Sequence, residues 1–176
     1  MWDLRLWKIG LDCRRLSTIR PANQADLAQV VSLIRGLAEF EKLPGPDAGA
    51  EARLLADFAA SPPRFELLVA DGDQGGELVG YALYFMTYST FLARPSLYLE
   101  DLYVRPDARS RGLGAAFLRS LAALAVDRGC GRFEWTVLDW NVRAQAFYRA
   151  LGAQLLPEWT VCRVDSAALT HLAKRS

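Results

Sequence analysis

The sequence has few of the residues from which several common catalytic sites are built. Its 176 residues include one histidine, His171, and three cysteines, Cys13, Cys130 and Cys162, none of them in a CxxC pair. A Ser-His-Asp triad is therefore disfavoured, no zinc signature is present and no metal is expected. Any general base must be a carboxylate, a tyrosine or a relayed water. The odd number of unpaired thiols fits a reducing, cytoplasmic location.

The sequence also has little net charge and no long apolar run. A formal charge of +1 argues against nucleic acid binding through bulk electrostatics, and no segment approaches the ~20 apolar residues of a membrane helix. Charges at Asp3, Arg5, Lys8 and Asp12 interrupt any signal-peptide core. We expect an N-terminal extension over residues 1–16, either loosely held or packed on the domain or a partner. Residues 17–176 are expected to form one globular domain.

Hydrophobic periodicity along residues 17–176 predicts alternating strands and helices. The predicted strands are Ser17–Arg20, Phe65–Ala70, Leu78–Tyr88, Leu97–Val104, Arg132–Leu138, Ala153–Leu156 and Thr160–Val164. The predicted helices run from an Asn23 cap to Lys42, over Glu51–Ala60, over Gly112–Arg128, from an Asn141 cap to Gly152, and over Ala167–Lys174. This order predicts an α/β fold, a mixed sheet of six to seven strands flanked by helices.

The stretch Leu97–Ala116 carries the clearest chemical signal in the chain. It reads as a strand, a glycine-containing loop and the first turn of a helix, a combination that presents backbone N–H groups to phosphate. Adjacent carboxylates at Glu100 and Asp101 suggest a cationic group held beside a phosphorylated cofactor. Arg109 and Arg111 would add bonds to phosphate oxygens. The alternatives are a helix start that happens to contain glycine and arginines that only aid solubility.

Two segments together carry a family resemblance. Leu102-Tyr103-Val104-Arg105-Pro106, followed by Arg109-x-x-Gly112-x-Gly114, resembles the acetyl-CoA motif of GCN5-related N-acetyltransferases. Asn141 to Gly152, with Phe147-Tyr148 between them, is similar to the second half of that site. Further likenesses at Tyr98–Asp101 and Val137–Asn141 point to the spermidine/spermine branch, and within it to the thialysine N-ε-acetyltransferase type. The implied fold is that of the acyl-CoA N-acyltransferases.

The resemblance implies a set of site residues. Contacts to acetyl-CoA are implied for Leu102, Tyr103, Val104, Arg109, Ser110, Arg111, Gly112, Leu113, Gly114, Ala115, Asn141 and Ala144. Tyr148 matches the general acid and Glu100 a carboxylate that contacts the substrate amine. Glu41, Asp101 and Trp159 are the further expected substrate contacts. Transfer to an amine requires removal of a proton from a group with a pKa near ~10.4, and Glu100 is the candidate base.

Some of these positions have other interpretations or depart from the family. Glu100 could be a structural carboxylate on a strand edge, and Tyr148 lies on an apolar helix face where it could belong to the core. Ser110 stands where the family usually has glycine. Ser89 and Phe91 stand where the polyamine enzymes carry an aspartate and a tryptophan, which favours a lysine-like or thialysine-like amine over a long polycation.

The resulting hypothesis is an acetyl-CoA-dependent N-acetyltransferase that acts on the primary amine of a small cationic metabolite, through direct transfer in a ternary complex. Two alternatives remain open: a peptide or protein N-acetyltransferase, and a CoA-binding module without catalysis. The resemblance also implies a homodimer.

Overall fold

One mixed sheet of five strands forms the centre of the fold. The computed structural model describes residues 18–73 and 75–174, so the predicted extension 1–16 lies outside the described residues. The strands are β1 (Ile19–Pro21), β2 (Glu66–Asp71), β3 (Leu78–Ser89), β4 (Arg94–Val104) and β5 (Arg132–Trp135). They lie in the order β1-β2-β3-β4-β5, antiparallel except for the parallel pair β4 and β5. The predicted mixed sheet is confirmed, and β2 and β3 form an antiparallel hairpin.

Helices occupy the segments between the strands and the C-terminal part of the chain. They are α1 (Leu27–Glu41), α2 (Ala48–Ala59), α3 (Leu113–Asp127), α4 (Val142–Ala150) and α5 (Ser166–Ala173), with 3-10 turns at Gln24–Asp26 and Pro106–Ala108. The predicted cap at Asn23 is confirmed, because its side chain accepts from the amide of Ala25. Asp47 caps α2, which therefore begins three residues before the predicted Glu51. None of the helices described here is both long and apolar enough to cross a membrane.

The chain divides into two compact units, the first ending at Thr136 and the second beginning at Val137. The first unit contains the whole sheet and α1 to α3. On one face of the sheet, α1 buries Leu27, Val30 and Leu33 against Tyr81 and Leu83 of β3. This apolar face forms a hydrophobic core of the unit, and it supports the carboxylates that lie at the end of α1 and on β4.

The opposite face of the sheet is covered by α3. Phe117 and Leu121 of this helix and Leu97 of β4 are fully buried. Gly80 of β3 lets the helix approach, because an added Cβ would lie 3.2 Å from the Phe117 ring. The apolar side of α3 is therefore the side that packs on the sheet.

Two groups of ion pairs connect elements of the first unit to β2. Arg20 on β1 binds Asp26 at 2.7 Å and Asp71 at 3.0 Å. Arg128, which follows α3, binds Glu66 of β2 through two hydrogen bonds of 2.5 and 2.7 Å. Bidentate arginine pairs of this kind are specific in geometry as well as favourable.

The second unit lacks two strands that the sequence predicts. Ala153–Leu156 and Thr160–Val164 form no strand, so the sheet of the described residues has five strands rather than six or seven. Residues 156–166 are exposed, and none of the five described strands accepts their amides. Strand-like composition is insufficient without such a partner, and Pro157 further interrupts the segment. The strand predicted over Arg132–Leu138 also ends early, at Trp135.

Candidate active site

A β-bulge at Glu100 shapes the site in the first unit. Asp101 pairs with Leu83 and Leu99 with Tyr84, so Glu100 has no partner in β3. The extra residue bends β4 and changes which side chains share a face of the sheet. The Glu100 side chain is exposed, whereas Asp101 is partly buried. The two adjacent carboxylates therefore occupy different environments.

Asp101 is the carboxyl group that the protein encloses. It lies on the face of Leu83 and Tyr81, and the fully buried Tyr81 donates its hydroxyl hydrogen to Oδ2 at 3.1 Å. Burial, with smaller contributions from the charges of Glu100 and Glu41, raises the pKa of Asp101 to about 6, and the hydrogen bond from Tyr81 opposes this rise. This carboxyl group changes its protonation state close to neutrality, as a general base requires.

Glu41 supplies the second acid, from the end of α1. The helix ends there because Lys42 adopts a left-handed conformation, with φ of 59°, and its N–H bonds to the carbonyls of Ala38 and Glu39. The negative charge of Glu41 raises the pKa of Asp101, so the end of α1 and β4 present acids to the same region. Although acids gather here, the described part of the chain contains no group of His, Cys, Asp and Glu arranged to hold a metal ion.

Among residues 18–73 and 75–174, no strand pairs with β4 beyond Leu99 on the edge that faces β5, so this edge is open there. β5 pairs with β4 only over Ser96–Leu99. The amide of Arg105 bonds to the Val79 carbonyl on β3, at 2.9 Å. Because alternate residues of an antiparallel pair bond to the same neighbour, the backbone groups of Leu102 and Val104 point to the opposite, open edge. These are two of the positions that the resemblance assigns to the acetyl-pantetheine arm of CoA.

Arg109 turns towards the strand. Its Nε donates to the Val104 carbonyl at 2.8 Å, and its guanidinium lies over the rings of Phe40 and Tyr103, at 5.3 and 5.6 Å. Tyr103 is buried, and its hydroxyl occupies a notch at Gly36, where an added Cβ would approach it to 2.7 Å. These contacts join the end of α1 to β4. Binding of phosphate by Arg109 stays a prediction.

The predicted phosphate loop leads directly into α3. Ser110 and Gly112 both have left-handed backbones, with φ of 64° and 82°, and the first turn of the helix contains Leu113–Ala115. The first N–H groups of a helix have no partner within it, which makes this end suitable for an anion. Arg111 is paired with Asp73 at 2.7 Å on the surface. The loop and helix start agree with the prediction, while the phosphate contacts themselves stay predicted.

The second unit contains the remaining predicted residues. The Asn141 side chain caps α4 by accepting from the amide of Ala144 at 3.2 Å, as the sequence predicts. The left-handed Gly152, with φ of 94°, follows the helix, also as predicted. Burial raises the pKa of Tyr148, which keeps its hydroxyl protonated and able to donate a proton. Trp159 lies outside any helix or strand and is 75% exposed.

Sequence reasoning missed the bulge and the role of Tyr81. A regular strand would place Asp101 on the face of Leu99, whereas the bulge places them on opposite faces. Two consecutive carboxylates inside an apolar strand were the available signal, since one of them had to break the alternation. Tyr81 gave no signal of its own, because aromatic residues are common in ordinary strands.

Comparisons with known proteins agree with this geometry. A sequence profile of the Acetyltransferase (GNAT) family matches residues 33–153. The chain is 42% identical over 164 residues to a thialysine N-epsilon-acetyltransferase of Bos taurus. The matched region covers 88% of this chain and 96% of that protein. It is 38% identical over 118 residues to an L-ornithine N5-acetyltransferase of Arabidopsis thaliana, which covers 67% of this chain and 52% of that protein.

A solved structure shows the same fold at lower sequence identity. An integron cassette protein from the mobile metagenome of V. cholerae superposes with a TM-score of 0.75 at 24% identity, covering 90% of this chain and 98% of that one. This similarity concerns the fold alone.

Proposed function

The chain belongs to the acetyltransferase (GNAT) family, and we propose that it transfers acetyl from acetyl-CoA to the primary amine of a small cationic metabolite, with a thialysine-like or lysine-like amine preferred. The observation that carries this proposal is the group of carboxylates Glu41, Glu100 and Asp101 beside the open edge of β4. Carboxylates attract an ammonium group, and an open strand edge offers amides to an acyl chain.

The chain has features that suit the co-substrate of the family. The open backbone groups of Leu102 and the N–H of Val104 would hold the pantetheine arm, and the loop from Ser110 into α3 would hold the pyrophosphate. An added Cβ at Gly112 would meet nothing within 4 Å, so the loop leaves room for an approaching group. When bound, acetyl-CoA supplies an activated acetyl group as a thioester.

The residues of the chain have separate tasks in this proposal. The acid cluster binds the ammonium and removes one proton, which leaves a lone pair on nitrogen that can attack a carbonyl carbon. The Leu102 N–H stabilises negative charge that develops on the carbonyl oxygen. Tyr148 gives a proton to the departing sulfur, which leaves with the electron pair of the broken C–S bond, and regains a proton from the nitrogen as the amide forms.

The end of β3 favours a short acceptor over a long polyamine. By the resemblance, Ser89 stands where the polyamine enzymes carry an aspartate. It is 3% exposed, and its Oγ accepts from the amide of Leu92 at 3.3 Å. The hydroxyl therefore closes the turn after β3 and offers no charge to a distant ammonium group. We infer that the acceptor needs one primary amine near the acid cluster and no second cationic end near Ser89.

A panel of acceptors tests the proposal. The purified chain is incubated with acetyl-CoA and a set of amines that includes thialysine, lysine, ornithine, putrescine, spermidine and spermine, and the products are identified by mass spectrometry. We expect the highest kcat/KM for thialysine or a lysine analogue. A higher kcat/KM for spermine than for every lysine analogue would contradict the preference.

Two further outcomes would favour the alternatives. Acetylated peptides without any acetylated free amine would favour a peptide acetyltransferase. Binding of CoA without turnover of any amine or peptide would favour a CoA-binding module. The carboxylates beside the open edge of β4 favour neither alternative, since neither a peptide acetyltransferase nor a CoA-binding module requires them.

We further propose that residues 17–176 act as one N-acetyltransferase domain, in a homodimer located in the cytoplasm. The family match supports the domain, because residues 33–153 include parts of both compact units. The homodimer and the location rest on the resemblance and on the cysteine pattern. Sedimentation equilibrium measures the first, and fractionation of the source cells with an antibody to the chain determines the second.

A further inference from the structure

We propose that Asp101, oriented by the hydroxyl of Tyr81, accepts the proton from the substrate ammonium, and that Glu100 serves chiefly to bend the strand and attract the cation. This inference rests on the proposed function and assigns one step of it to a residue that sequence reasoning treated only as a substrate contact. Tyr81 is a positioning residue in this scheme, because it acts through Asp101.

The geometry distinguishes the two adjacent carboxylates. The bulge leaves Glu100 without a partner on β3 and with an exposed side chain. Asp101 pairs with Leu83 and receives the Tyr81 hydroxyl on Oδ2 at 3.1 Å. Within the described residues no other hydrogen bond to Asp101 occurs, so Oδ1 remains available to an incoming N–H group. One oxygen is held and the other is open, which suits directed proton transfer.

The surroundings of Asp101 favour proton uptake. The ionisable groups that act on it are Glu41 from α1, Tyr81 from β3 and Glu100 from β4. None of these groups is cationic, so burial and negative charge dominate and bring the pKa of Asp101 to about 6. Relative to an ordinary aspartate, a rise of about two units makes uptake of a proton about 100-fold more favourable.

The step itself is a simple proton transfer. An N–H bond of the substrate ammonium breaks, its electron pair stays on nitrogen, and the proton bonds to Oδ1 of the Asp101 carboxylate. The nitrogen is then neutral and nucleophilic. After the acetyl transfer, Asp101 releases this proton to solvent, which accounts for the one proton that the overall reaction produces.

Variants with a pH profile test the assignment. We expect kcat/KM of the wild type to fall at low pH with an apparent pKa near 6. In Asp101→Asn, kcat/KM should fall by about 10²–10⁴-fold, and this acidic limb should disappear. In Tyr81→Phe the limb should move up by about one pH unit, because a hydrogen bond that favours the carboxylate is lost. In Glu100→Gln the limb should remain and move down, because a neighbouring negative charge is lost.

Tyr84→Phe is the matched control for Tyr81→Phe. Tyr84 is also a buried tyrosine of β3, 4% exposed, but it lies on the opposite face and its hydroxyl bonds to Glu66 at 3.2 Å. Its loss should leave the acidic limb in place. A limb that moves equally in both variants would show a general effect of hydroxyl loss and would overturn the role of Tyr81.

A second measurement does not depend on turnover. Carbon-13 NMR of the aspartate carboxyl carbons in the chain without ligands should show Asp101 titrating near pH 6 in the wild type and higher in Tyr81→Phe. Titration of Asp101 near the ordinary value of ~4 would overturn the inference, as would an acidic limb that vanishes in Glu100→Gln. A wild type that acetylates no amine would instead contradict the proposed function.

Discussion

Gly112→Ala tests whether the left-handed conformation of the phosphate loop is needed to bind CoA. Gly112 has φ of 82° and precedes the first turn of α3, and an added Cβ would meet no atom within 4 Å. The cost of the substitution is therefore conformational and not steric. A non-glycine residue in the left-handed region is less stable by about 1–2 kcal/mol.

This free energy can appear in either of two measurements. If the loop keeps its conformation in the free protein, the free energy of unfolding falls by the full ~1–2 kcal/mol and CoA affinity does not change. If the loop relaxes in the free protein, it must be restored on binding, and the Kd for CoA rises by up to about 5–30-fold. The fall in the free energy of unfolding and the loss of CoA binding free energy should together amount to about 1–2 kcal/mol. We expect a substantial share in the Kd, because the loop is exposed and free to relax.

The assay combines calorimetric titration with CoA and denaturant unfolding of the same samples. Gly129→Ala is the control: Gly129 also has an open left-handed backbone, with φ of 67°, but it follows the other end of α3. Its loss should appear in stability alone. A Kd and a free energy of unfolding that are both unchanged in Gly112→Ala, or an equal rise of the Kd in Gly129→Ala, would refute the view that the left-handed loop holds the pyrophosphate.

Three other variants test the rest of the structure. Arg20 lowers the pKa of Asp26, so the ion pair stabilises the fold at neutral pH and is lost as the pH falls through that lowered pKa. In Asp26→Asn the free energy of unfolding should therefore fall by about 1.5–3 kcal/mol near pH 7. The difference in Tm between wild type and variant should narrow below about pH 4. Glu66→Gln weakens the bidentate pair with Arg128 and should lower the free energy of unfolding by about 1–3 kcal/mol in urea, whereas an unchanged midpoint would assign no stability to that pair. Tyr148→Phe should lower kcat by about 10²–10⁴-fold with little change in CoA affinity, and undiminished turnover would remove its role as general acid.

Local sequence signals predicted the parts of the structure that depend on local chemistry. The caps at Asn23 and Asn141 follow from side-chain oxygens that bond to nearby amides, and the position of Gly152 follows from its freedom at positive φ. The loop from Ser110 into α3 was predicted for the same reason, since glycine and a helix start are visible in the sequence itself.

Features that depend on distant partners could not be predicted in this way. The segment Thr160–Val164 has the composition of a strand, but no strand in the part of the chain that the structure describes pairs with it. The direction of Arg109 depends on two rings that come from α1 and β4, 69 and 6 positions away in the chain. The bulge at Glu100 depends on the register with β3, which no single strand specifies.

The unpaired position in β4 also makes the strand one residue longer than its pairing requires. Leu99 and Asp101 oppose neighbouring residues of β3, so a chain from which Glu100 is deleted can keep every partner on both sides. A deletion at Leu97 or Leu102 would instead reverse the faces of all residues between the cut and the bulge. Libraries of single-residue deletions should therefore tolerate position 100 alone within this strand, and the shortened protein would present a straight edge in place of a bent one.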